Sequence, residues 1–400
     1  MIRARLLPLV LVSLLALPSC EKPAPTYGPF VPPSDRDYDR ALPPGALALR
    51  KIPPEQYPDF RPGFINREGL ERAINYSLQY MAKPSSRKYY PYGDISHERA
   101  RASLVQFLQV LQSSRSPEEF DQAIKSQFDV YESVGYDGEG TVFFTGYYTP
   151  IFDARRQRDR EFRYPLYRLP PDLVKDEEGN TLGRRVAGGG VVPGYPTRRQ
   201  IEEGRLLDGL ELVYLRNPFE AYIVNVQGSA RLRMADGTLL ELGYAGNNGH
   251  AYTPIARAMI EDGAIKRSEL SLQTLRRYFQ EHPDQVFHYA WRNDRYVFFQ
   301  ELAGGPYGSI GVPVTAFRSI ATDKSVFPRA CVAFLQANLP RVSGGEVVQT
   351  PYATFALDQD TGGAIRAAGR CDIWMGIGSG AEALAGRTGS EGQLYYVFVK

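Results

Sequence analysis

Two aspartates near the C-terminus carry the side chains most able to do chemistry. Asp360 opens the turn Asp360-Thr361-Gly362-Gly363, and Asp372 stands between Cys371 and the apolar run Ile373-Trp374-Met375. An aspartate before two glycines can be no more than an Asx-turn, its carboxylate capping its own backbone. Asp372 has no such local explanation. An apolar setting raises a carboxyl pKa and keeps the group protonated near neutrality, which is the state a general acid needs. Two short apolar runs joined by small-residue loops are the layout of neighbouring strands that bring acidic side chains to one rim, where loops shape a cleft.

Other chemistries lack their residues. The four histidines, His97, His250, His282 and His288, do not have the paired helical spacing of a zinc protease, and the cysteines cannot build a zinc cage, so no metal is expected. No Gly-x-Ser-x-Gly elbow occurs. Gly376-Ile377-Gly378-Ser379-Gly380 lacks the lysine of a phosphate loop and the βαβ context of a dinucleotide fold, so no cofactor is expected either. Carboxylate acid–base chemistry remains. A glycan hydrolase normally needs two carboxylates, one to protonate the leaving oxygen and one for the other face of the sugar. Tyrosine supplies a flat apolar face with a polar tip, suited to sugar rings as well as to cores, and the chain has 26 tyrosines against 2 tryptophans. Gln227, Ser229 and Arg231 place an amide, a hydroxyl and a guanidinium close together, which fits sugar hydroxyls, amides and carboxylates or else simply a polar hairpin. Tyr244-Ala245-Gly246-Asn247-Asn248-Gly249-His250 reads as a loop entering a helix whose N-terminus can hold an anionic or carbonyl group.

The elements that must position these groups show in the periodicity. Leu70, Ile74, Leu78 and Met81 recur at helical spacing, as do Leu104, Leu108 and Leu111. Ser116-Pro117-Glu118-Glu119 is a capping box with proline at the first helical position, and it opens a third helix burying Phe120, Ile124 and Phe128. Thr141 to Pro150 is a strand that delivers Thr145, Tyr147, Tyr148 and Thr149 at its end. From about residue 152 short strands, Ala221 to Val226 among them, mix with helices. One helix is capped by Thr197 and ended by Gly204; another runs from Tyr252 to Ile260. Beyond Gly304 short strands alternate to the end.

At 400 residues and 43% hydrophobic, the chain can bury two domain cores, and a net charge of +2 with scattered basic residues argues against a nucleic-acid partner. Arg3 and Arg5 precede an apolar run from Leu6 to Leu17 and then Pro18-Ser19-Cys20, a secretory leader too short to span a bilayer, with a cysteine placed as in a bacterial lipoprotein. Residues 1–20 are therefore expected to be leader, with Cys20 lipidated, and 21–48 a proline-rich tether. Cys331 and Cys371 remain, either bridged, as an oxidising compartment allows and as we expect, or two buried free thiols.

Asp-Thr-Gly-Gly-Ala-Ile-Arg followed by Asp-Ile-Trp and Gly-x-Gly resembles the three-aspartate domain of the membrane-bound lytic murein transglycosylase A family, with Asp323 of Arg318-Ser319-Ile320-Ala321-Thr322-Asp323 as the first of the three. The resemblance extends in the family's order to Thr145-Gly146-Tyr147-Tyr148-Thr149-Pro150, Val226-Gln227-Gly228-Ser229 and Tyr244 to Tyr252, and spans roughly Asp59 to the C-terminus. It implies a mainly β, α+β protein: a double-psi β-barrel from residues 49–151 and 302–400, a smaller β-rich domain, 152–301, inserted into it, and a groove between them. It also implies cleavage of the bond between N-acetylmuramic acid and N-acetylglucosamine in peptidoglycan, with closure of a 1,6-anhydro ring. Asp372 would be the single acid/base, supported by Asp360 and Asp323. Thr145, Tyr147, Tyr148, Thr149, Gln227, Ser229, Arg231, Tyr244, Asn248 and His250 are the implied substrate contacts. The implied setting is the periplasmic face of a Gram-negative outer membrane, with glycan strands and the cell-wall machinery as partners. The rival readings are a non-catalytic, expansin-like wall-binding protein and a hydrolase that leaves reducing ends.

Overall fold

The computed structural model describes residues 36–400 except 177, 178 and 345, so the expected leader, Cys20 and the first part of the tether lie outside the described residues. After strand β1 (Leu49–Lys51) come four helices, α1 (Arg61–Ile65), α2 (Leu70–Met81), α3 (His97–Ser113) and α4 (Pro117–Gln127). The expected helical rows are buried: Leu70, Ile74 and Met81 on α2, Leu104 and Leu111 on α3, Phe120 and Ile124 on α4. Ser116 caps α4 by accepting from the Glu119 N–H, but the Glu119 carboxylate turns to the Arg115 N–H, so half of the expected box forms. Phe128 opens β2 (Phe128–Ser133) instead of extending the helix, and β3 (Val142–Thr149) follows.

The chain then leaves through Pro150 into an insertion. Its elements are β4 (Ile151–Arg155), β5 (Tyr164–Tyr167), β6 (Leu173–Lys175), β7 (Thr181–Arg185), β8 (Val191–Pro193), α5 (Arg198–Glu203), β9 (Glu211–Leu215), α6 (Pro218–Gln227), β10 (Ala230–Arg233), β11 (Leu239–Asn247), α7 (Ile255–Glu261), α8 (Leu272–Glu281), α9 (Gln285–Ala290) and β12 (Val297–Leu302). The return supplies β13 (Ser319–Ala321), β14 (Val332–Ser343), β15 (Glu346–Asp360), β16 (Arg370–Ile377), α10 (Ser379–Ala385) and β17 (Gly389–Val399).

Six of these strands close on themselves. The order β17-β14-β15-β13-β16-β3 is completed by pairing of β3 with β17, while β2 and β1 extend the sheet beyond β17. Closure removes the free edges that an open sheet of this kind exposes. Two pairs, β13 with β15 and β16 with β3, run parallel. Helices α1 to α4 cover the barrel through rings around Phe355: Phe107 at 4.7 Å, Phe60 at 5.5 Å and Phe120 at 5.7 Å. Each fully buried ring contributes about 1.5–3 kcal/mol. The insertion forms a second sheet, β12-β11-β10-β4-β9-β5, backed by α6 to α9, and a three-stranded one, β6-β7-β8. The architecture is thus the expected α+β class, a six-stranded barrel with a second β-rich unit inserted.

Four sequence expectations need correction. Ala221 to Val226 lies inside α6 and is not a strand: Asn217 caps the helix through the Phe219 N–H, Pro218 sits in its first turn, and Gly228 at φ 74° ends it. Tyr244 to Asn247 belongs to strand β11, and the helix expected from Tyr252 starts at Ile255, behind Pro254. Cys331 and Cys371 are free thiols, not a disulfide. Cys331 directly precedes β14 and Cys371 lies on β16, three strands apart whichever way one goes around the barrel. They therefore stand on opposite walls of the barrel, further apart than a disulfide spans. Finally, residues 36–48 are not a free tether, because Tyr38 and Ala48 are buried against the barrel.

Candidate active site

Strand alternation sorts the residues of β16. Cys371 and Ile373 point into the barrel core, whereas Arg370 and Asp372 face the other way and stay partly open, with 17% of the Asp372 side chain exposed. Asp372 is in register with Thr145 on β3 and with Ala321 on β13. The Thr145 hydroxyl donates to Asp372 Oδ1; Arg370 Nη2 lies 3.8 Å from the same oxygen and donates to Thr145 Oγ1 at 3.3 Å. The immediate partners of Asp372 are therefore polar; of its apolar sequence neighbours, Cys371 and Ile373 alternate away, while Trp374, on the same face, gives its Nε1 to Thr149. Its second oxygen, Oδ2, takes no hydrogen bond among the described residues, and the side chain is not fully enclosed.

Asp360 ends β15 and is also in register with Ala321. Its Oδ2 accepts from the Tyr147 hydroxyl at 2.7 Å, and its Oδ1 accepts from the Ser309 and Thr361 N–H groups, each at 2.8 Å. Burial raises its pKa, opposed by those donors and by Lys324. The carboxylate does cap local backbone, but at the adjacent Thr361 N–H and not at the N–H two residues on that defines an Asx-turn. Asp323 is likewise engaged: Oδ1 accepts from the Ser325 N–H at 3.0 Å and hydroxyl at 2.6 Å, and Oδ2 accepts from the Ala367 N–H at 2.8 Å. Ala367 sits at φ +58°, so Asp323 holds a strained turn in the loop that leads to Asp372.

Of the expected substrate contacts, the structure brings Thr145 to Asp372 and Tyr147 to Asp360. The others serve elsewhere. Tyr148 is 1% exposed and points to the opposite side of β3, where its hydroxyl donates to Glu382 at 3.0 Å. Thr149 is enclosed between Trp374, whose Nε1 donates to it at 3.4 Å, and Ser229 at 3.3 Å. Gln227 accepts from the Tyr148 N–H at 3.2 Å, so the turn after α6 is stitched to the end of β3. Arg231 forms an ion pair with Glu241, a carboxyl whose pKa burial raises. Asn248 is buried, its amide donating to the carbonyls of Pro196 and Asp294 at 2.9 and 2.8 Å and accepting from the Tyr296 N–H at 2.8 Å. His250 Nε2 is 2.7 Å from the Tyr195 carbonyl. Tyr244 is exposed, its hydroxyl accepting from Asn247.

Several contributors escaped the sequence reading. Asp358 is wholly buried, paired with Lys324 and accepting from Thr322 Oγ1 at 2.7 Å and the Tyr396 hydroxyl at 2.8 Å. Burial lowers the Lys324 pKa, and Asp358 opposes the shift. Thr322 in turn anchors Asp360 through its N–H at 3.3 Å and accepts from the Thr361 hydroxyl at 2.8 Å. The signal was Lys324 beside Asp323, but a lone charged pair in a loop normally faces solvent. Arg295, from the loop before β12, lies on the glycine turn: a Cβ at Gly363 would meet its Nε at 2.8 Å and the guanidinium would have to shift. Arg276 on α8 reaches Glu382 on α10 through two bonds of 2.7 and 3.1 Å, tying the insertion to the barrel. Among the described residues no cluster of histidine, cysteine, aspartate and glutamate could hold a metal ion, and no helix is long and apolar enough to cross a membrane.

Known proteins share this arrangement. A sequence profile of the MltA specific insert domain matches residues 143–300, and one of the 3D domain matches residues 318–398. The chain is 33% identical over 271 residues to the membrane-bound lytic murein transglycosylase A of Escherichia coli, covering 67% of this chain and 68% of that protein. Among solved structures, a membrane-bound lytic murein transglycosylase from Agrobacterium tumefaciens superposes with a TM-score of 0.73 at 27% identity, covering 88% of this chain and 98% of that one. E. coli MltA with bound chitohexaose superposes at 0.66 and 25% identity, covering 92% and 98%. The chain belongs to the membrane-bound lytic murein transglycosylase A family.

Proposed function

We propose that this protein is a peptidoglycan lytic transglycosylase in which Asp372 alone acts as general acid and then general base. One observation carries the assignment of roles. Asp360 and Asp323 spend their oxygens on donors from their own chain, whereas Asp372 keeps Oδ2 without a donor on a partly exposed side chain. Because the Thr145 hydroxyl donates to Oδ1, the transferable proton belongs on Oδ2. That proton passes to the glycosidic oxygen between N-acetylmuramic acid and N-acetylglucosamine as the C1–O bond breaks. The muramyl C6 hydroxyl then closes on C1, its proton returns to Asp372, and a 1,6-anhydro ring forms without water. Arg370, beside Oδ1, stabilises the carboxylate between the two transfers. Neither of the other two motif aspartates is free to activate water, as a two-carboxylate hydrolase requires.

Support for a glycan substrate comes from the relative that holds chitohexaose. An expansin-like binder would not need one carboxylate left open. The proposal extends to the two domains, 49–151 with 302–400 and 152–301, to Thr145 and Tyr147 as the groove residues nearest the reacting bond, and to a lipid on Cys20 that anchors the enzyme to the outer membrane at its periplasmic face, near the cell-wall machinery. Asp372→Asn tests the role assignment: turnover of purified murein should vanish while glycan binding persists, and retained turnover would overturn it.

A further inference from the structure

Residues 36–48 lie against the barrel next to Asp372. Tyr38 is 8% exposed; its ring stacks on Phe143 with centroids 4.7 Å apart and meets Tyr136 edge-on at 5.0 Å. Its hydroxyl donates to Glu391 at 2.7 Å, and Arg36 pairs with the same carboxylate. The Tyr38 carbonyl sits directly over Gly369, where a Cβ would come within 2.5 Å of it and within 2.6 Å of the Tyr136 side chain. At the other end Ala48 is buried, its N–H donating to the Val326 carbonyl at 3.0 Å. The segment is pinned to the barrel domain at its two ends, Tyr38 and Ala48, and mostly exposed between them.

What it packs behind is Arg370. Phe143, which carries the Tyr38 ring, is in register with Arg370, and the guanidinium carbon stands 5.5 Å from the Phe143 centroid. Arg370 Nε is buried without a hydrogen-bond partner among the described residues, so packing against Phe143 does much of the work of holding the guanidinium at Thr145 and Asp372.

We propose that Tyr38 is a positioning residue for the reaction: through the Phe143 ring it fixes the guanidinium of Arg370 against the Thr145–Asp372 pair. The proposal rests on the reading of Asp372 as the acid/base. Without the stacked ring the Asp372 carboxylate loses its nearest positive charge at the moment it forms, so the cost falls on kcat and not on glycan binding.

The experiment uses the full-length enzyme and soluble glycan strands, with Tyr38→Ala, Tyr38→Leu, Tyr38→Phe and Asp372→Asn measured side by side. Tyr38→Ala should lower kcat about tenfold with KM unchanged. Tyr38→Phe, which keeps the stacked ring and loses only the bond to Glu391, should restore most of it. Unchanged kcat in a folded Tyr38→Ala enzyme, or equal loss in the Phe and Ala variants, would overturn the proposal. Should Tyr38→Ala fail to fold, Tyr38→Leu, which keeps apolar bulk but not the stacked ring, decides, and an unaltered kcat there overturns it. An active Asp372→Asn enzyme would instead remove the reading on which the proposal rests, so the two failures are told apart.

Discussion

Asp360 and Asp372 flank the same residue, Ala321, one on the parallel neighbour of β13 and the other on its antiparallel neighbour. A three-residue strand therefore sets the spacing of both carboxylates, and the Tyr147 hydroxyl, bonded to Asp360, feels the charge of both. The two are not equivalent: Asp360 is a saturated anchor and Asp372 an acceptor with a spare oxygen.

The anchor should show itself in stability before activity. Asp360→Asn replaces an acceptor with a group that must present an N–H to one of its donors, at a cost of about 1–3 kcal/mol. Since burial raises the folded-state pKa of Asp360, the wild type binds more protons folded than unfolded, and this carboxyl's contribution is fully present below the ordinary aspartate range and lost as pH rises through the raised value. Urea unfolding of both proteins from acid to neutral pH should show the gap narrowing as pH rises; a widening gap would contradict the assignment. Turnover should fall less than in Asp372→Asn.

Lys324 and Asp358 form a buried pair whose partners hold Thr322, and through it the backbone of Asp360. Lys324→Met leaves a buried carboxylate unpaired and should cost about 3–5 kcal/mol. Adding Asp358→Leu should recover part of that loss in the same unfolding assay, because the double change removes the stranded charge.

How much of this could be read in advance differs by element. Helices α2 to α4 carried periodic apolar rows and proline and serine punctuation, so they were readable. Helix α6 was not, because Tyr222, Ile223, Val224 and Asn225 are buried consecutively and leave no polar face to mark the period. The aspartate motif pointed to the right strands, yet the saturation of Asp360 and Asp323 depends on donors 51 and 44 residues away in sequence, which no local pattern reveals. Prolines in residues 36–48 suggested a free tether; a single buried tyrosine overrides that composition.

Both remaining cysteines should react with a thiol label once the unreduced protein is denatured, and neither while it is folded. Burial raises the Cys331 thiol to about 12 and the Cys371 thiol well above its ordinary value. A label-resistant denatured protein would mean a bridge. Reductant should leave the melting temperature unchanged.

Gly363 is closed to a side chain by Arg295, whose guanidinium lies on the turn that follows Asp360. Gly363→Ala should keep the fold and lower turnover several-fold by pushing Arg295 off the loop, a perturbation on the order of 1 kcal/mol. Adding Arg295→Ala should not lower it much further, since the two changes act on one contact. Additive losses would separate them.

The claim that one carboxylate works without water is tested by digesting purified murein in water enriched in heavy oxygen and weighing the released fragments by mass spectrometry. The account predicts unlabelled products with 1,6-anhydromuramyl ends, and none from Asp372→Asn. Reducing ends that carry the heavy oxygen would contradict it and establish hydrolysis instead.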